Sequence, residues 1–262
     1  MISPVFDAPL LLVEGKMRVL VAADIHLGLE HELMLGGISI PSQTEKILSR
    51  MLGYLEEIKP DRLVLLGDVK HNVPRTSWQE KREVPQFLSR LSSVVKVDVV
   101  PGNHDSDLTD MAPLGVRMHP STGFVLDGVG YFHGHTWPDE SVVAADHLVA
   151  GHLHPAVRLA DPLGHATVRP VWAKAQLLAS VIAMHYGSSR DSRDCPLNRE
   201  IIITPAFNHL CGGLPLNEPV EDPHGPLMAM ADWDRARLYL LDGTDIGSMA
   251  EIKAALSMRP GQ

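Results

Sequence analysis

Between Leu10 and Val100, short apolar runs alternate with longer amphipathic ones. LLLVEGKMRVLVAAD (10–24) reads as two strands joined at Glu14-Gly15. RLVLLGD (62–68) and VVKVDVV (94–100) read as further buried strands, the second carrying Lys96 and Asp98 as polar exceptions. Between the first strands, Ile47, Leu48, Met51, Leu52, Leu55 and Ile58 recur at helical spacing. Ser42 stands where an N-cap would, with Glu45 at the capping-box position. A helix rich in Lys, Arg and Glu follows over 78–91. Strand–helix–strand alternation predicts parallel pairing with helices on the sheet faces.

Beyond residue 120 the rhythm changes. GFVLDGVGYFHG (123–134) places Asp127-Gly128 between apolar runs, a hairpin signal. HLVAG (147–151) is a strand, and 156–172 and 235–247 read as further hairpins. The stretch 185–226 is rich in Gly, Pro, Ser and Asn and reads as loop around one strand, EIIIT (200–204). These elements predict one α/β domain over residues 1–262, with 185–262 a loop-rich part that completes it. A break near 190 would make two domains instead.

Composition narrows the class without naming a function. A chain of 262 residues buries a sizeable core without crosslinks. The two cysteines, Cys195 and Cys211, form no CxxC and imply no disulfide framework, so a cytoplasmic protein is expected. Residues 1–13 lack a basic start and do not read as a signal peptide. No apolar run reaches membrane-spanning length, so no membrane partner is expected. The net charge of −9 disfavours broad electrostatic binding to nucleic acid, yet bound cations would neutralise part of it.

The candidate chemistry lies at strand ends. Asp24 and His26 follow VLVAA, and Asp68 follows VLLG with His71 three residues on. Asn103, His104 and Asp105 follow VDVVPG, His133 and His135 follow VGYF, and His152 and His154 follow HLVAG. Each cluster alone is ordinary turn chemistry. Together they sit where ligands collect in α/β sheets. Asp, His and Asn suit hard or borderline divalent cations such as Mn²⁺, Fe²⁺ or Zn²⁺, and no cysteine falls within a cluster to make a structural zinc site.

The motifs DIH, GD, GNHD, FHGH and GHLH, in that order over 24–154, resemble those of calcineurin-like metallophosphoesterases. The resemblance implies a four-layer αββα sandwich of two mixed sheets flanked by helices. It also implies two divalent cations, Mn²⁺ foremost, with Fe²⁺, Zn²⁺, Ni²⁺ or Mg²⁺ as alternatives. One metal would be held by Asp24, His26 and His154, the other by Asn103, His133 and His152, with Asp68 bridging both. His133, which precedes Gly134, is favoured over His135 as the ligand. A water between the cations would become the hydroxide that attacks a phosphodiester in line. His104 would protonate the leaving oxygen, and Asp105 would orient the His104 imidazole; the alternative for Asp105 is a helix cap.

GHLHPAVRL (151–159) and TPAFNHLCGG (204–213) resemble an archaeal phosphoesterase group and the bacterial ligase-associated repair endonucleases. That likeness implies a nuclease or phosphodiesterase linked to DNA repair, with a nucleic-acid substrate. A small-molecule phosphatase or cyclic-nucleotide phosphodiesterase is the alternative. Asn208 and His209 are candidate substrate contacts, Phe207 and Leu210 candidate packing residues, and Lys70, Arg158 and Arg169 candidate phosphate contacts.

Overall fold

In the computed structural model, residues 1–161, 165–187, 199–219 and 225–257 are described. The segment 188–198 with Cys195, part of the loop expected over 185–226, lies outside these, as do 220–224, 258–262 and the hairpin tip 162–164.

The first half forms β1 (Ile2–Pro4), β2 (Leu11–Glu14), β3 (Arg18–Ala22), α1 (Leu29–Leu35), α2 (Thr44–Ile58), β4 (Arg62–Leu66), α3 (Trp78–Ser92), β5 (Lys96–Val100), α4 (Leu108–Met111) and β6 (Val116–Met118). Among the described residues its six strands lie side by side in chain order. β1, β2 and β3 are antiparallel neighbours, and β3 through β6 are parallel.

The second half supplies β7 (Phe124–Leu126), β8 (Val129–Phe132), α5 (Glu140–Val143), β9 (His147–Ala150), β10 (Pro155–Ala160), β11 (Ala166–Leu177), α6 (Ala179–Tyr186) and β12 (Glu200–Ile203). A 3₁₀ turn (His209–Cys211), β13 (Leu214–Pro215), α7 (Gly225–Met230), β14 (Ala231–Leu240), β15 (Asp245–Ser248) and α8 (Met249–Ser257) follow. All three expected hairpins form, β7–β8, β10–β11 and β14–β15. β8, β9 and β12 are mutually parallel, so this sheet too is mixed.

Period-two alternation explains how the sheets stack. In β3 and β4, Val19, Val21, Val64 and Leu66 pack against Val129, Tyr131, Val149 and Trp172 of the second sheet. The intervening Leu20, Ala22, Leu63 and Leu65 pack against Ile47, Leu48 and Met51 of α2 and Phe87, Leu88 and Leu91 of α3. The outer face of the second sheet, including Leu148, Ala173, Ile201 and Ile203, packs against Ile182, Leu227, Met230 and Met249. Helix, sheet, sheet and helix therefore form the expected four layers. Each large aliphatic side chain buried this way contributes roughly 1.5–3 kcal/mol.

Two local expectations change. α2 begins at Thr44 with Gln43 at the cap position, and the Ser42 hydroxyl donates to Glu83 at 2.7 Å and accepts the Thr44 amide at 3.3 Å. The capping box belongs to α3, where Ser77 and Glu80 satisfy each other's backbone amides. Asp98, on the sheet-facing side of β5, is only 1% exposed; Arg62 at 2.6 Å and His119 at 2.7 Å pair it.

Candidate metal centre

The parallel strands β3, β4 and β5 of one sheet and β8 and β9 of the other each release a polar cluster at the C-terminal end. The loop after β3 runs beside the loop after β4, with the amides of Asp24, His26 and Leu27 donating to the carbonyls of Gly67, Asp68 and Val69. Asp24, His26, Asp68, His152 and His154 all adopt left-handed backbone, with φ between 44° and 73°. Each such residue costs roughly 1–2 kcal/mol, and surrounding contacts must hold it.

Glycines let these loops close. A Cβ on Gly102 would lie 2.1 Å from Oδ1 of Asp68, and one on Gly151 would lie 2.7 Å from the Ala23 Cβ. The Pro101-Gly102 break thus does more than end β5: it lets the backbone pass directly beneath Asp68.

Four donor groups result among the described residues: two that share Asp68, then His26 with His71 and His104, and His26 with His154 and Cys211. Asp24, His26, Asp68 and His154 each offer a ligand atom, all within 4.8 Å of one another, and so do Asp68, His133 and His152. Asp68 is common to both. The Nε2 atoms of His26 and His154 face each other at 3.2 Å, and His154 Nε2 is 3.3 Å from Asp24 Oδ1. His133 Nδ1 donates to the Leu66 carbonyl at 2.7 Å, which leaves Nε2 facing inward. That Nε2 is buried without a hydrogen-bond partner, 3.3 Å from Asp68 Oδ2. Buried carboxylates and convergent imidazole nitrogens, one of them orphaned, fit divalent cations. His133, before Gly134, joins the second group, and His135 joins none of the groups found among the described residues.

The charges inside this shell are strongly coupled. Burial opposes ionisation of Asp68, but the His133 ring beside it holds its carboxyl far below the usual range. Burial disfavours a charged His133, yet Asp68 and then Asp24 raise it to about 9. Burial, and then the charge on His133, push His152 down to about 3 and His135 down to about 4.

The GNHD cluster divides its roles differently from the expectation. Asn103 is solvent-exposed. The backbone amide of His104 donates to Asp68 Oδ1 at 2.9 Å, and its Nδ1 donates to the His71 carbonyl. Asp105 does not orient this imidazole, and the cap position of α4 belongs to Asp107. The Asp105 carboxylate instead accepts three backbone amides, from Gly102 at 2.9 Å, Lys70 at 3.1 Å and Val69 at 3.2 Å. Burial, and then the nearby Asp68 charge, push it up to about 6 against the pull of those amides. It ties the loop after β5 to the loop after β4.

Other candidates also move. Lys70 is fully buried, and its ammonium donates to the Asn72 carbonyl at 2.7 Å, so it is no phosphate contact. Asn208 is 1% exposed and donates to the Ile25 carbonyl at 3.0 Å, so it holds backbone rather than substrate. Phe207 packs in the core, with the Arg50 guanidinium over its ring. His209, Arg158 and Arg169 are exposed. His71, kept out of the metal set, places Nδ1 3.0 Å from His26 Nδ1 and Nε2 2.5 Å from Glu32. Glu80, beyond its capping-box bond to Ser77, also receives the amides of His71 and Asn72, a long-range role that its S-x-x-E spacing does not announce.

Sheets, strand-end loops and paired donor groups together define a metal-dependent phosphoesterase. Residues 17–204 match the family of calcineurin-like phosphoesterases, and the chain belongs to that family. Its fold is similar to that of the nuclease MPE of Pseudomonas putida, with a TM-score of 0.52 and 20% identity over 92% of this chain and 98% of that one. Yfce, a phosphoesterase from E. coli, matches at a TM-score of 0.39 and 19% identity over 87% of this chain and 96% of that one. No helix among the described residues is long and apolar enough to cross a membrane.

Proposed function

We propose that this chain is a binuclear phosphodiesterase acting on nucleic acid, in a setting of DNA repair. The observation that carries the two-metal reading is the sharing of Asp68 between two donor groups. Asp24, His26 and His154 would hold one cation, His133, His152 and Asn103 the other, and Asp68 both. When bound, such a pair acidifies a water and stabilises charge on the attacking and leaving oxygens.

The chain's own residues prepare this chemistry. The His104 amide orients the Asp68 carboxylate, and the His152 amide orients that of Asp24 at 3.1 Å. The Leu66 carbonyl fixes the His133 tautomer so that Nε2 faces the donors. The His71 carbonyl does the same for His104, so a proton given to the leaving oxygen is held at Nε2. The stretches 151–159 and 204–213, with their likeness to repair endonucleases, support a nucleic-acid substrate, as does the nuclease of similar fold. The net charge of −9 favours the second reading, a small phosphate ester.

A screen with Mn²⁺ over bis-p-nitrophenyl phosphate, p-nitrophenyl phosphate, single-stranded and duplex DNA and RNA separates these. Cleavage of the diester and of a nucleic acid is expected. Activity on the monoester alone would establish the phosphatase, and no turnover with any divalent metal would refute the enzyme reading.

A further inference from the structure

The stretch AFNHLCGG (206–213) is built into the metal centre, and it presents a thiol there. It crosses between the two loops that carry the first donor group. On one side, the amides of Phe207 and Asn208 donate to the carbonyls of Ala23 and Asp24 at 2.9 and 3.3 Å. The Asn208 side chain adds a bond to the Ile25 carbonyl at 3.0 Å and caps the 3₁₀ turn by accepting from Leu210 at 3.0 Å. On the other side, the Leu214 amide donates to the His154 carbonyl at 2.9 Å. Gly213 makes that approach possible, since a Cβ there would lie 3.0 Å from the His154 carbonyl oxygen and 2.6 Å from the Ala156 Cβ. Cys211 stands between these anchors. Its sulfur is 4.0 Å from the Asp24 carbonyl oxygen and lies within 4.8 Å of ligand nitrogens of both His26 and His154, themselves within 4.8 Å of each other. Those two imidazoles are the same ones that serve the first donor group.

We infer that Cys211 is a further ligand of the cation held by Asp24, His26 and His154. This rests on the two-metal reading above. The thiol binds as thiolate and releases its proton to solvent as the cation enters. A sulfur donor shifts that position toward borderline metals such as Zn²⁺, Fe²⁺ or Co²⁺, while among the described residues the donors at the position of His133 and His152 are nitrogen and oxygen. The two positions then differ in metal preference, and the pair is asymmetric.

Cobalt reports the sulfur directly, without turnover. The full chain is depleted of metal, loaded anaerobically with Co²⁺, and its bound metal counted and its absorption recorded. A sulfur-to-cobalt charge-transfer band in the near ultraviolet is expected in the parent. It is expected to persist in Cys195→Ser, where Cys211 is the remaining cysteine of the two in the chain. It is expected to vanish in Cys211→Ser with cobalt still bound, and the advantage of Zn²⁺ over Mn²⁺ in competition then narrows. Two equivalents of bound cobalt without the band, in the parent or in Cys195→Ser, overturn the assignment while leaving the two-metal reading intact. Cobalt that fails to bind at all removes the two-metal reading and this inference with it. Cys195→Ser keeps Cys211 and every residue of the donor groups, so the answer does not depend on whether Cys211→Ser folds.

Discussion

Asp105 offers the sharpest division between a catalytic and an architectural role. Its Oδ2 accepts the amides of Gly102 and Val69, and its Oδ1 that of Lys70. The residue is 4% exposed, so water does not readily replace it. Asp105→Ala orphans three amides, each costing about 1–3 kcal/mol when buried. These neighbours share one loop pair and do not add fully, so a net loss of about 3–5 kcal/mol is expected. Against a typical stability of about 5–15 kcal/mol, that is a large fraction. Asp105→Asn keeps one carbonyl oxygen, which can serve Gly102 and Val69, but sets an NH₂ against the Lys70 amide. Its loss should be smaller, about 1–3 kcal/mol for that single unsatisfied donor. Urea unfolding in a chelator isolates this effect, because bound metal would otherwise add its own stabilisation. The expected order is parent, Asn, Ala. If Asp105→Ala loses less than about 1 kcal/mol, below the cost of even one orphaned amide, the three-amide clamp is wrong. A variant that keeps its stability but changes the pH profile of turnover would instead restore the expected contact with His104.

Three further outcomes follow from the same geometry. Gly102→Ala should fold but bind less than the full metal complement, because its Cβ would displace Asp68 from 2.1 Å; a 1 Å misplacement costs on the order of 100-fold in rate, and unchanged stoichiometry and rate would contradict the close approach. His104→Ala should retain metal while losing about 10²–10⁴-fold in turnover of esters with poor leaving groups, and an equal loss on activated esters would argue against proton donation. Asp98 is held below the usual carboxylate range, because bonds from His119 and Arg62 outweigh the opposing effect of burial. Its folded pKa is thus lower than its unfolded value of about 3.9, so its contribution is present above that pH and fades as pH falls through and below it. The stability gap between parent and Asp98→Asn, read from urea midpoints at pH 6 and pH 3, should therefore shrink at the lower pH; an equal gap at both would refute the pairing.

What the chain determined by itself is local. Alternating apolar residues in 10–24, 62–68 and 94–100, and the i, i+4 spacing over 47–58, specified strands, helices and the strand ends where Asp24, Asp68, Asn103, His133 and His152 emerge. Hairpins at Asp127-Gly128 and over 156–172 were legible for the same reason: turn chemistry and pleat act between near neighbours. α6 (Ala179–Tyr186) and α7 (Gly225–Met230) lie mostly outside the 185–226 stretch that reads as loop, and neither was legible as a helix from the sequence. The choices made between distant segments were not legible. Asp105 adjoins His104 in sequence, but its partners lie 36 and 35 residues away on the loop after β4, as well as at Gly102. Which of His133 and His135 enters the shell depends on the Leu66 carbonyl, 67 residues earlier. Asp and His tolerate the left-handed region better than most residues, but the left-handed backbone of five donor residues persists because paired loops hold it. Cys211 comes within reach of His26 and His154 only when the 206–213 segment is bonded to both of their loops. A side chain's type announces what it can bind, but a hydrogen bond or a metal ligand also needs an approach within a few ångströms, and packing of the two sheets sets that distance.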